Sequence, residues 1–266
     1  MSEWEAIILG IIQGLTEFLP VSSSGHLELG KSVFGLADVD LTFSVLVHGA
    51  TACSTLVVFR KDILHLLTGL FRPKSSNSAD SRKYIGWIIL SAIPAALIAF
   101  TLRDALEGAF INQPHRVGMM LCLTALILFL SERASGKIRP LNGSKAGIIG
   151  LAQAFAILPG VSRSGSTIGM AIALGVSREE AAKFSFLMAL PVILGATALE
   201  VFSLISEPAS TVEQTVSWTA YALGSGAAFV SGWLACLWMI KLVRRNSLNT
   251  FAIYCLIVGL AAWIWL

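Results

Sequence analysis

The sequence predicts an all-α polytopic integral membrane protein with an inverted-topology repeat, about six transmembrane helices and two re-entrant helical hairpins. Three observations predict it. Of 266 residues, 55% are hydrophobic and only 13% charged, and mean hydropathy is +0.77; soluble domains carry about 25% charged residues. Uncharged runs such as YIGWIILSAIPAALIAFTL (84–102) and WTAYALGSGAAFVSGWLACLWMI (218–240) are each long enough to cross roughly 30 Å of hydrocarbon. Finally, short stretches recur at a fixed spacing. GIIQ (10–13) returns as GLAQ (150–153) and VSSSGH (21–26) as VSRSGS (161–166), both 140 residues on, while FSVL (43–46) returns as FSFL (184–187), one residue further.

The elements follow in chain order. Ser2 and Glu5 have capping-box spacing and start a helix directly, and the acidic MSEWEAII lacks the positive charge of a cleaved secretory signal. The stretch 3–35 is apolar but interrupted by Pro20 and a serine cluster, so it reads as a broken hairpin. Spans are expected at about 41–59, 84–102 and 117–131. The stretch 146–175, interrupted by Pro159 and a Ser/Gly cluster, is the second hairpin. Ser177 and Glu180 cap the helix that becomes a span at 184–204, and spans at 218–240 and 251–266 complete the chain. Irregular backbone survives at membrane depth only when buried in protein or lining a cavity. Gly165 and Gly169, spaced GxxxG, suit close helix packing. RPKSSNSADSRK (72–83) reads as a basic loop inside one membrane domain, with repeat 1 at about 1–132 and repeat 2 at about 146–266.

Each repeat holds one hairpin and three spans, an odd number, so the second copy is expected to be inverted. Segments 60–83 and 132–146, with Lys241, Arg244 and Arg245, are basic, whereas 205–217 carries Glu207 and Glu213 without Lys or Arg. The positive-inside rule then places the basic loops inside the cell and both termini outside. The first hairpin enters from outside and the second from inside. The net charge of +3 is modest and spread over loops, so nucleic acid is not an expected partner. Cys53, Cys122, Cys236 and Cys255 sit in apolar segments without metal-binding spacing and read as small packed residues.

Chemistry concentrates at the hairpin tips. Gly10, Gln13, Gly14 and Glu17 form one small, polar helical stripe. An ionised Glu at the bilayer centre costs at least ~2.5–3.5 kcal/mol, so Glu17 should face a wet cavity or a cation. Ser23 and His26 beyond Pro20 offer a nucleophile and a proton carrier. PGVSRSGST (159–167) sets Arg163 among Ser162, Ser164, Ser166 and Thr167, a guanidinium with hydroxyls at a helix N-terminus that suits phosphate oxygens. Inverted halves would bring the tips together. His48 lies in an apolar span without an acidic neighbour in sequence and reads as a packed interface residue; His65 and His115 are given no role.

QGLTEFLPVSSSGH (13–26) and LPGVSRSGST (158–167), with FSFLMALPVILGATALE (184–200) and FAIY (251–254), resemble the bacterial undecaprenyl-diphosphate phosphatase family of the bacitracin-resistance type. The resemblance spans essentially the whole chain. It implies hydrolysis of the terminal phosphate of a C55 isoprenoid diphosphate, recycling the carrier of peptidoglycan and other cell-wall polymers and conferring bacitracin resistance. It also implies the bacterial inner membrane, an active site open to the periplasmic side, a homodimer, and a divalent cation, Mg²⁺ or Ca²⁺. Catalytic roles fall on Glu17, Ser23, His26 and Arg163, with Glu17 also placing the metal. Gln13, Ser22, Ser162, Ser164 and Thr167 fall to substrate binding; the family's acidic pair is here Gln13 and Glu17, one charge instead of two. The nucleophile is Ser23, His26 or water. The rival from another class is an inverted-repeat transporter or flippase for a phosphorylated isoprenoid, which needs the binding groups but no nucleophile.

Overall fold

The computed structural model describes residues 1–36, 41–72, 78–110, 113–134, 136–206, 216–245 and 247–266. The acidic 205–217 segment lies largely outside them, as do residues 73–77 of the expected 72–83 loop, whose remainder from Ser78 is the first turns of α5 instead of loop. All the regular structure described is helical. In order it comprises α1 (Glu3–Phe18), α2 (Ser23–Val33), α3 (Leu41–Val58), α4 (Arg60–Phe71), α5 (Ser78–Phe110) and α6 (Pro114–Arg133). The second half holds α7 (Gly143–Phe155), α8 (Arg163–Ala173), α9 (Arg178–Ser206), α10 (Trp218–Arg245) and α11 (Asn249–Trp265).

Both hairpins form where the sequence breaks. At α1, Glu5 N–H donates to Ser2 Oγ and Ser2 N–H to the Glu5 carboxylate, the expected capping box. The helix stops at Leu19, which is extended (ψ 144°) as a residue before proline must be. Asn142 caps α7 in the same manner, by accepting from Lys145 N–H. After α7 the chain turns through Pro159 and Gly160, whose φ of +94° suits a residue without a side chain.

Among the described residues four helices are long and apolar enough to cross a membrane: α6, α10, and the apolar parts of α5 and α9. The six expected spans need two corrections. The expected 41–59 span is α3 bent by 75° into α4, a helix inside what reads as a loop; charged Arg60, Lys61 and Asp62 end the apolar run, and Asp62 then pairs with Lys183 of α9. The last span, α11, is a shorter apolar helix of 17 residues. Large apolar side chains such as Leu97, Phe100, Phe202, Trp238 and Ile257 point outward from these helices, as in a lipid-facing surface. All four thiols are free, but Cys53 is exposed and Cys122 only half-buried, so just Cys236 and Cys255 are packed inside.

Packing positions the tips. α1 lies along α10 and α7 along α5, each at backbone contact. A Cβ on Gly10 would sit 2.2 Å from Gly224 O, and one on Gly150 would sit 2.7 Å from Ser91 Cα. Gly10 and Gly150 are 140 residues apart, the spacing of the sequence repeats. α6 and α11 cross where Gly118 and Gly259 meet, each leaving only 2.7 Å to the other's carbonyl oxygen. Phe18, Phe59, Phe184, Phe186, Leu128 and Ile168 fill the core around the place where the hairpins meet.

Candidate active site

The two tips touch. Arg163, the first residue of α8, forms an ion pair with Glu17 from the last turn of α1. One residue along, Ser164 Oγ donates to Leu19 O of the first tip (3.0 Å). Glu17 is the hub: its second oxygen, Oε2, accepts from Ser23 Oγ at 2.6 Å and from Gln13 Nε2 at 2.9 Å. Its side chain is only 7% exposed, so burial would disfavour the charge; the Arg163 guanidinium and two further donors compensate it. Ser23 and Arg163 are themselves only half-buried.

His26 goes elsewhere. Its Nδ1 meets Ser22 O at 2.8 Å and its Nε2 meets the Tyr254 hydroxyl of α11 at 2.8 Å, with the two rings stacked. The Ser22 carbonyl can only accept, so Nδ1 carries a proton; in the neutral ring Nε2 then accepts from the tyrosine. His26 has no bond to Ser23. Ser22, the partner of Nδ1, caps α2 and is the sole non-glycine residue with positive φ (+71°) among those described. His26 therefore braces the strained corner that presents Ser23.

The predicted hydroxyls reach the second tip but are engaged in holding it. Ser162 Oγ caps α8 through Gly165 N–H, lies 3.3 Å from Ser164 Oγ, and its own N–H donates to Thr124 Oγ1. Thr167 Oγ1 bonds Arg163 O and Ser185 Oγ (2.6 Å). The Arg163 guanidinium uses one further N–H on Ser185 O, which leaves donors of its five free for a phosphate.

Three residues join the site without having been expected there. His48 Nε2 of α3 lies 3.7 Å from Glu17 Oε2, which corrects the reading of His48 as lacking an acidic neighbour: the carboxylate comes from a helix 31 positions earlier in the chain. Ser185 orients Arg163 and Thr167, and Tyr254 holds His26. Ser185 carried a signal, because it is the serine of the repeated FSVL and FSFL.

A divalent cation fits part of this donor set. Gln13 Oε1 is buried without a hydrogen-bond partner, because its amide nitrogen is turned to Glu17. A neutral oxygen beside a carboxylate suits a hard cation whose remaining ligands are phosphate oxygens. Among the described residues no group of three or more His, Cys, Asp or Glu side chains gathers to enclose one.

The chain is 45% identical over 265 residues to the undecaprenyl-diphosphatase of Christiangramia forsetii, covering 98% of this chain and 97% of that protein. It is 44% identical to that of Bacteroides thetaiotaomicron, with 98% of both covered, and 37% identical to that of Korarchaeum cryptofilum, with 97% of both covered. The family described as bacitracin resistance protein BacA matches residues 6–261. That match runs through both hairpins and every helix that carries the tip contacts, and the chain belongs to this family.

Proposed function

We infer that this protein hydrolyses undecaprenyl diphosphate to undecaprenyl phosphate and inorganic phosphate; its relatives carry the name undecaprenyl-diphosphatase. The carrying observation is the single carboxylate, Glu17, that joins a hydroxyl nucleophile to a guanidinium across two hairpins. A transporter needs no such hydroxyl–carboxylate pair, so the site favours chemistry over carriage alone.

Arg163 and the N-terminal N–H groups of α8 hold the terminal phosphate. As phosphate oxygens compete for the guanidinium, Glu17 is freed to serve Ser23. Ser23 Oγ attacks phosphorus, the bond to the bridging oxygen breaks, and lipid monophosphate leaves with that electron pair; the Ser23 proton passes to Glu17 Oε2. Water then attacks the phosphoserine, the P–Oγ bond breaks, and inorganic phosphate leaves as the proton returns to Ser23. His26 fixes the corner from which Ser23 attacks. Ser162, Ser164 and Thr167 hold Arg163 in place. A divalent cation at Gln13 and Glu17 would neutralise charge on the diphosphate. Electrostatic stabilisation supplies most of the rate, as in phosphoryl transfer generally.

The protein acts in the membrane as a single domain of two inverted repeats. Basic loops lie inside the cell and the first hairpin opens outward. The deciding experiment is phosphate release from purified protein given a C55 diphosphate, with and without chelator. Release that chelator abolishes supports both the reaction and the cation. No release overturns the reaction, and release indifferent to chelator overturns the cation.

A further inference from the structure

Lys31 is out of place. It sits in the last turn of α2, eight residues beyond Ser23, or about 12 Å along the helix. Its side chain is only 12% exposed. A largely buried ammonium in a membrane protein is costly and marks function unless a structural role accounts for it. One carboxylate, Glu28, lies 3.0 Å away on the same helix. Yet the ammonium is also drawn across to α3, where it donates to Ser44 Oγ at 3.0 Å. Two of its three N–H donors are thereby placed, and among the described residues the third has no partner.

Ser44 links Lys31 to the reacting centre. Its carbonyl oxygen accepts from His48 Nδ1 at 2.7 Å, and His48 Nε2 faces Glu17 Oε2 at 3.7 Å. Lys31 and His48 are thus both attached to one residue of α3, and His48 in turn faces Glu17. A substrate with two phosphoryl groups needs a second anchor beyond the one that holds its reacting group. Arg163 serves the terminal phosphate, and Lys31, tied through Ser44 and His48 to Glu17, offers a second cation.

Resting on the hydrolase reading, we propose that Lys31, steadied by Glu28 and Ser44 and continued inward by His48, binds the inner, lipid-linked phosphate of the diphosphate. This subsite sets the preference for a diphosphate over a monophosphate. It also retains the lipid monophosphate product, which carries only that inner phosphate. A mere i,i+3 helix pair would leave Lys31 pointing along α2 and would have no use for Ser44.

The test compares wild type, Lys31→Met and Lys31→Arg as purified full-length protein in detergent. Met keeps the stem's length and packing without the charge. For C55 diphosphate hydrolysis, Lys31→Met raises KM about 10-fold or more, the worth of one charge-assisted hydrogen bond, with the loss falling on KM rather than kcat. Inhibition by C55 monophosphate weakens by the same factor, whereas inhibition by inorganic phosphate, which competes at Arg163, moves less than about twofold. Lys31→Arg recovers most of the affinity. Equal shifts for both inhibitors, no shift, or a loss confined to kcat overturns the subsite. Direct calorimetric binding of C55 monophosphate gives a readout independent of turnover. If wild type hydrolyses the diphosphate while Lys31→Met binds monophosphate equally well, the subsite fails and the hydrolase stands. If wild type releases no phosphate, the hydrolase reading fails, and the calorimetric difference still decides Lys31. Should Lys31→Met not purify as a folded protein, Ser44→Ala is measured in its place, with a shift of about 3-fold in monophosphate affinity expected and none refuting.

Discussion

Replacing Glu17 by Gln tests the central contact with little change in shape. The carboxylate accepts from Ser23 at 2.6 Å and pairs with Arg163, so the substitution removes the proton acceptor and the counter-charge together. General-base catalysis is worth about 10²–10⁴ in rate, and a loss near 10³ corresponds to about 4 kcal/mol of transition-state stabilisation. Ser23→Ala removes the proposed nucleophile and should cost at least as much. Because both act through one proton, the double variant should lose little more than the worse single. Independent roles would multiply the two losses to about 10⁶. Phosphate release at saturating divalent cation, for the two singles and the double, separates these outcomes. Multiplicative losses would refute the Ser23–Glu17 unit and return the chemistry to water or His26. A folding control is needed, since removing one partner of a buried ion pair costs up to about 3–5 kcal/mol. Arg163 keeps a fifth of its side chain exposed, so hydration offsets part of that.

Arg163→Lys keeps the charge but loses the fork, and turnover should fall at least about 10²-fold; near-wild-type hydrolysis would contradict the phosphate clamp. Tyr254→Phe removes one hydrogen bond to His26 and leaves the stacked ring, so kcat should fall less than about 10-fold, the net worth of one neutral bond, while His26→Ala is the more severe. Equal losses would show Tyr254 itself taking part in the chemistry. For orientation, single-cysteine labelling should reach positions 207 to 213 from outside the cell and 74 to 82 only from inside, after replacement of the exposed Cys53; the reverse pattern would invert the topology.

The all-helical class, both hairpins and the residues at their tips were legible because each leaves a local mark. A proline and a serine cluster interrupt an apolar run, and a capping box starts the first arm of the first hairpin. What escaped was contact between distant elements. His48 meets Glu17, Tyr254 meets His26, and Ser185 meets Arg163 across separate helices, and no spacing within one helix announces such a pairing. The short helix α4 escaped for the opposite reason. RKDILHLLTGLF carries enough charge to read as a loop, while Ile63 and Leu66 pack back onto the bundle. The hydroxyls of Ser162, Ser164 and Thr167 illustrate a third limit. Composition alone cannot tell a side chain that binds phosphate from one that caps a helix or ties one tip to another, because both uses select the same residues.

The tips also show how one scaffold carries two chemistries. Ser22 and Ser162, 140 residues apart, each cap the second arm of a hairpin and accept from the glycine three residues on. Gln13 and Gln153, at the same spacing, are both buried with Oε1 unpartnered. Against that shared frame the positions differ: Ser23 corresponds to Arg163, and Glu17 to Ile157. Electrostatics requires the difference. The tips meet at contact distance in an apolar surround, where two like charges would repel strongly and each buried ion needs a partner. A guanidinium at both corners would set two cations against one carboxylate and leave no nucleophile. A hydroxyl at both would leave Glu17 buried without its counter-charge. One hydroxyl, one carboxylate and one guanidinium give a tip pair that is neutral at rest and ready for an anion, and only unlike halves can supply it.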